Sequence, residues 1–409
     1  VGMRVIHNQK TSYAYTNLVN EKALLDLADN VSLAFKEGIF EEEIDLTERK
    51  STTDLFIKEL PQSVPVQKKV ELVNRANEVS RSWDERIAQV KVVYRDSLQK
   101  IIIANSLGDL IEDERILTLF IVQVVAIQDG VIQTGYEPVG GFIGFEFFRD
   151  TPPEKVAEMA SSRAILMLEA RKAPGGMMPV VLSSEAGGTM IHEAIGHGLE
   201  ADLAQEGLSV YSNRLGHMVA SPLITVIDDP TLPNIRGSYR FDDEGTPSQK
   251  TILVEKGQLK GYLYDRLTAM KDKVNSTGNG RRESYRNRPI PRMSNTLIAP
   301  GVSNPDDILR STPKGLFVKK MGGGQVNTVN GDFIFEVSEG NLIENGKIEE
   351  PVRGATLIGN GPEILKKIDM VGSDLGFGIG TCGKDGQGVP VADAQPTVRI
   401  PEIVIGGEV

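Results

Sequence analysis

The sequence predicts an α+β chain of two domains: N-terminal helices with an antiparallel sheet, then a β-rich C-terminal domain that carries one conspicuous helix. Helical spacing of apolar residues recurs in three segments before residue 175, and β-branched runs fill the space between them. A Pro-Gly break then separates both from a glycine-dense second half. The predicted domains are therefore residues 1–175 and 176–409.

Residues 21–37 set Leu24, Leu27, Ala28, Val31 and Phe35 along one helical face, with Asn20 as the cap. A polar stretch over 41–58 follows. The second helix, over 65–87, is expected to bury Leu72, Ala76, Val79 and Trp83. Across 90–148 the runs VKVVY, KIIIAN, LTLFIVQVVAI and VIQTGY are parted by Leu107-Gly108 and Asp129-Gly130, which reads as an antiparallel sheet. A third helix starts at Pro153 and Glu154 and is stopped by APGG at 173–176. Beyond it lie short strands, glycines and a helical interlude over 189–204. No internal repeat is evident, which removes solenoids and propellers.

The charge balance narrows the class of partner. Against 56 Asp and Glu stand 45 Lys and Arg, a net charge of −11, which repels a phosphate backbone, so nucleic acid is not expected. One cysteine in 409 residues rules out an intrachain disulfide and suits a reducing compartment, so the expected location is the cytoplasm. Apolar runs such as 119–127 are far shorter than the roughly 18 residues of a spanning helix, so no membrane anchor is expected. The opening VGMRVIHNQK has neither an initiator Met nor the layout of a signal peptide, and the N-terminal domain is expected to lack its first residues.

Four histidines exist in the chain, and two of them, His192 and His197, fall in GGTMIHEAIGHGLEAD with Glu193 between them. Zinc peptidases place such histidines four apart, about 40° from each other on a helix of 3.6 residues per turn. Here the spacing is five, which opens the angle to about 140° on a regular helix. Both can bind one ion only if the helix widens or ends between them, and Gly196 and Gly198 would permit that. The same pattern also fits a plain amphipathic helix burying Met190, Ile191, Ala194, Ile195 and Leu199. A third soft ligand decides between the two. Cys382, in GFGIGTCGKDGQGVP, is the candidate, and Glu200 and Asp202 are the alternatives. That loop also matches Gly-x-Gly-x-x-Gly at 378–383, but Gly386, Gly388 and Pro390 stand where a dinucleotide fingerprint needs a helix.

This set of segments resembles the TldD/PmbA family of metallopeptidases, in its zinc-bearing TldD branch. The resemblance runs from about Arg4 to Ile400 and rests on HEAIGHGLEAD, IDDPTLPNIRGSYRFDDEGTP, RNRPIPRMSNT, MGGGQVNTVNGDFIFEV and TCGKDGQGVPV, in that order. The PmbA branch, also called TldE, lacks the histidine motif. The resemblance implies that His192, His197 and Cys382 bind zinc and that Glu193 is the catalytic acid and base. It also implies a dimer, of this chain with itself or with a PmbA/TldE-like subunit, enclosing the metal sites in a cavity.

Several further residues have two readings. His217 would stabilise an oxyanion or lie at the surface. Asp242, Asp243 and Glu244 would orient the ligand imidazoles or form a turn before Gly245. Arg281, Arg282, Arg286, Arg288 and Arg292 would hold a peptide carboxylate or be structural. Gly322 to Gly324 would let a backbone approach a substrate strand or mark a turn. The expected function is a zinc metallopeptidase that hydrolyses short or unfolded peptides. The rival is a non-catalytic peptide-binding or scaffold subunit of a TldD/PmbA-type complex.

Overall fold

Even-numbered residues from Ile116 to Ala126 are buried along the strand Asp109–Gln128, and their odd neighbours are more open, so one face of this sheet is committed to a core. The computed structural model describes residues 1–35 and 44–407. Residues 36–37 of the first expected helix, 41–43 of the polar stretch and the last two residues of the second domain lie outside the described residues.

The buried face carries Phe120, Val122, Val124 and Ala126, and the helices Val66–Trp83 and Pro153–Glu169 cover it with Leu72, Ala76, Val156, Ala157, Ala160 and Ala164. Gly135 explains how closely the second helix sits. A Cβ there would lie 1.7 Å from the carbonyl oxygen of Ala160. The runs VKVVY and KIIIAN are one strand, Ile87–Ala104, because its polar middle still alternates in register with Asp109–Gln128. Asp129 and Gly130 both have positive φ and turn the chain into Val131–Gly141, the pattern of a tight hairpin. Asn20 caps the helix Glu21–Ser32 by accepting from the Ala23 amide. Trp83, expected on a buried face, is 44% exposed, because its helix ends there and the chain turns away at Asp84.

Among the described residues the second half has two large sheets and a two-stranded one, Gly280–Arg281 with Ile290–Pro291. Strands Lys314–Val326, Gly176–Leu182, Val398–Gly406, Thr356–Asn360 and Asp332–Glu344 pair in that order, and the last pairs back onto the first, closing a barrel. A six-stranded sheet runs Gln258–Leu259, Thr251–Glu255, Val226–Asp228, Asn295–Ile298, Gln387–Gln395, Gly376–Lys384, which leaves Gly376–Lys384 at an edge. The histidine segment packs into the core these sheets share, through Met190, Ile191, Ala194, Ile195 and Leu199.

Several contacts join the halves of the chain, Arg115 with Asp243 and the Phe142 amide with the Ile235 carbonyl among them. A hairpin of Gly2–His7 and Lys10–Tyr15, not anticipated from the sequence, docks on the second half through Arg4 to Glu244 and Tyr13 to the Tyr285 carbonyl. Elsewhere Arg163 is buried between Glu137 at 2.6 Å and Glu339 at 2.8 Å, and Lys320 and Lys319 complete the charges of those carboxylates. Among the described residues no helix is long and apolar enough to cross a membrane.

Candidate metal centre

The helix expected over 189–204 is broken into four pieces. An α-turn, Thr189–Ile191, leads into a π-turn, His192–Gly196, then a 3-10 turn, His197–Leu199, and the helix Ala201–Gln205. Within the π-turn the His197 amide donates to the His192 carbonyl, five residues back. That widening removes the 140° separation of a regular helix: the two rings stand 5.0 Å apart at 89°. Tyr211 donates its hydroxyl to the Ala194 carbonyl inside the widened turn, at 3.0 Å. Gly196 keeps ordinary helical angles, so its contribution is room and not backbone freedom. A Cβ there would lie 2.1 Å from Met293 Sδ.

Cys382 reaches this turn from the edge strand Gly376–Lys384. Its Sγ lies 3.5 Å from His197 Nε2, and ligand atoms of His192, His197 and Cys382 all fall within 4.8 Å of one another. The fully buried Arg292 donates to the carbonyls of Cys382 and Gln387 and so holds the hairpin in place. Burial pushes the Cys382 thiol up, but the neighbouring His192 and His197 outweigh it and bring the pKa to about 5. Burial likewise opposes charge on His197, while the Glu200 carboxylate and Cys382 raise its pKa well above the usual range.

Each imidazole has a carboxylate behind it. Glu200 lies 3.1 Å from His197 Nδ1, which leaves Nε2 facing the thiol. Asp393 lies 3.9 Å from Nδ1 of His192, a buried nitrogen with no hydrogen-bond partner. Burial alone would raise Glu200, yet the charges of Lys384 and His197 hold its pKa down to about 2. Glu200 and Asp202 were alternative third ligands on the sequence. The structure turns both onto Lys384, at 3.1 and 2.7 Å, and brings Cys382 to the histidines.

Other sequence candidates lie elsewhere. The Asp242 carboxylate accepts from the amides of Glu244, Thr246 and Gly280, Asp243 pairs with Arg115, and Glu244 pairs with Arg4. They form the turn before Gly245 and do not orient the imidazoles. Asp393 was missed because nothing local in VADAQ marks it; the strand Gln387–Gln395 packs so closely on Gly188, at the start of the histidine turn, that Asp393 comes beside His192. His217 is exposed. Arg281 donates to the carbonyls of Met293 and Pro390, and Arg282 to the Tyr13 hydroxyl, so these arginines are structural. The Gly-x-Gly-x-x-Gly match is strand followed by hairpin, with no helix to receive a phosphate.

The three donors open onto a cavity of about 1080 Å³ between the two halves of the chain. Glu193 lines it beside them, and burial above all raises its pKa, against the charges of His192 and His197. Tyr136 and Glu137 contribute from the N-terminal sheet. Gly322 and Gly323 fall where the register slips between Met321 and Gly324, and all three glycines line the cavity wall. Two imidazoles and a thiolate are the donor set of zinc and not of magnesium or calcium, which take oxygen ligands. All three donor residues line the cavity, and an ion held by them alone would keep a position for water or substrate.

Comparison with known proteins gives the family. Residues 175–407 match the PmbA/TldA metallopeptidase C-terminal domain, and residues 59–168 the central domain of the same family. A metalloprotease TldD homologue of Haemophilus influenzae is 38% identical over 416 residues, covering 100% of this chain and 86% of its own. A metalloprotease of Methanocaldococcus jannaschii is 38% identical, covering 98% of this chain and 88% of its own. The crystal structure of TldE from Thermococcus kodakarensis shares the fold, with a TM-score of 0.75 at 19% identity over 99% of this chain and 89% of that one. With both family domains matched in order and a TldD homologue 38% identical across 100% of this chain, the chain belongs to the TldD/PmbA family of metallopeptidases.

Proposed function

We propose that this chain is a zinc metallopeptidase that hydrolyses short or unfolded peptides, with zinc held by His192, His197 and Cys382 and with Glu193 as general base. One observation carries the reading: three zinc-type donors converge beside a partly buried carboxylate at the wall of a large cavity. Zinc bound there supplies a Lewis acid for the scissile carbonyl and acidifies a water towards a pKa of about 7. Glu193 takes the proton of the attacking water on its carboxylate and hands it to the leaving amine. Its raised pKa suits both tasks near neutral pH. Glu200 keeps the proton of His197 on Nδ1, and Asp393 stands where it can do the same for His192. Walls drawn from both halves of the chain favour extended peptides over folded proteins.

The same reading places the protein in the cytoplasm, on its single cysteine, and pairs it with itself or with a PmbA/TldE-like subunit, on the fold it shares with TldE. The test is metal analysis of the purified chain, with Glu193→Gln and His192→Ala beside it. The Glu193→Gln protein is expected to keep stoichiometric zinc and lose peptide hydrolysis, and His192→Ala to lose the metal. Absence of zinc from the unsubstituted chain would support a scaffold subunit instead.

A further inference from the structure

The cavity beside the metal centre contains three cationic side chains besides the histidines, and two are neutralised. Lys320 pairs with Glu137 at 3.2 Å, and Lys384 with Glu200 and Asp202. Arg236 is different. Its Nε donates to the Gly380 carbonyl at 3.2 Å, and its two terminal nitrogens meet no carboxylate among the described residues. The charged groups that face it are Arg95 and Arg281, of like sign, and the phenol of Tyr136. Burial first, then the like charges of Arg95 and Arg281, pull its pKa down, and among the described residues no carboxylate offsets them.

The backbone around Arg236 is fixed. The Gly237 amide donates to Asn295 Oδ1 at 2.9 Å, and the Ile235 carbonyl accepts from the Phe142 amide across the domain boundary. Gly380 stands two positions before Cys382 on the edge strand, a separation of about 7 Å at strand rise. Gly380 also leaves the space above it open: a Cβ there would meet only Val391, at 3.8 Å. A guanidinium so placed offers a pair of parallel N–H donors to a planar anion one or two residues from the bond being cut.

We propose that Arg236 is a carboxylate-binding subsite of the peptidase cavity. It takes the α-carboxylate of a peptide's C-terminus or an Asp or Glu side chain near the scissile bond. This rests on the peptidase reading and adds the substrate class to it. The subsite makes the enzyme prefer acidic or short C-terminal peptide fragments over neutral, blocked ones, and it places the carboxylate opposite Tyr136 in the cavity wall.

The test measures binding, separately from turnover. Zinc-loaded full chain carrying Glu193→Gln is titrated with one five-residue peptide containing a central Glu, with its C-terminal amide, and with its Glu→Gln analogue. One of the two neutralised peptides is expected to bind about tenfold more weakly or worse, which identifies the carboxylate used. In a second chain carrying Arg236→Gln as well, the parent and that peptide are expected to bind alike, and Arg236→Lys is expected to restore part of the difference. Zinc content and thermal midpoint serve as controls for folding. Equal binding of all three peptides to the Arg236 protein, or persistence of the difference in Arg236→Gln, overturns the subsite and leaves the peptidase reading standing. Failure of every peptide to bind overturns both.

Discussion

The Lys384 ammonium lies 3.1 Å from the Glu200 carboxylate, so a residue two positions beyond Cys382 grips the group that orients His197. Thiol strand and histidine turn are thereby tied together through a buried ion pair, and the proton of His197 is kept on the nitrogen away from the thiol.

Glu200→Gln tests that tie. The amide keeps the shape but removes a charge opposite Lys384, leaving it the more open Asp202 and the Pro291 carbonyl. Zinc affinity, read by competition with a chelator, is expected to fall 10- to 100-fold, on the order of the loss seen when groups behind a ligand are removed. The unfolding free energy is expected to fall by about 3 kcal/mol, the cost of leaving the fully buried Arg292 guanidinium without the Glu200 charge 3.9 Å away. Unchanged affinity would deny Glu200 any hold on the ligand.

Cys382→Ser replaces a thiolate by a hydroxyl that stays protonated near neutral pH. Zinc occupancy at equal free metal is expected to drop sharply, with little change in fold, since the side chains are nearly isosteric. Occupancy equal to that of the unsubstituted chain would show that the thiol is not a ligand.

Gly196→Ala tests the packing beneath the π-turn. The new methyl would overlap the buried Met293 sulfur, and the strain is expected to cost about 1–3 kcal/mol in denaturant unfolding and to lower zinc affinity. Met293→Ala in the same chain is expected to relieve part of the loss, so the two changes should be non-additive. Strict additivity would place the requirement for glycine elsewhere.

Glu244 and Asp242 predict the response to pH away from the metal. Burial first, then the like charges of Asp265 and Asp242, hold Glu244 well above the usual carboxylate range, and burial does the same for Asp242. The folded chain therefore keeps protons that the unfolded chain releases above about pH 4.3. By linkage, this contribution to stability is full below that pH and is lost as pH rises through the raised folded values. Urea unfolding at pH 5, 7 and 8.5 should follow that fall, and Glu244→Gln should flatten it. A slope that the substitution leaves intact would assign it to other groups.

Much of this was legible in the sequence because it is local. Helical spacing around Leu72 and Ala76, the left-handed pair Asp129-Gly130 and the cap at Asn20 each act within a few residues, and the structure has them where they were expected. The meeting of His192, His197 and Cys382 was legible in part: residue chemistry made Cys382 the candidate beside Glu200 and Asp202, and the family resemblance implied the set. Long-range pairing was not. Nothing near Leu316 announces that it pairs with Val180 to close the barrel, and nothing near Asp393 announces His192. Arg236 sits in a segment that carried the family resemblance, yet only the cavity reveals that its charge is unmatched. The cluster from Arg281 to Arg292 stayed open between two readings for a related reason: density of charge in sequence says nothing of carbonyls waiting to receive it.

The widened turn also makes residue count part of the chemistry. Removing one residue between His192 and His197 would turn the segment into an ordinary helix with the familiar four-residue spacing and would still leave the two rings adjacent. Everything after His197, however, would swing by about 100° about the helix axis. Glu200 would lose His197 and Lys384 together, and the helix Ala201–Gln205 would present a different face to the core. A shorter motif is therefore no substitute in this scaffold: the additional residue keeps the histidine pair and all that supports it in phase.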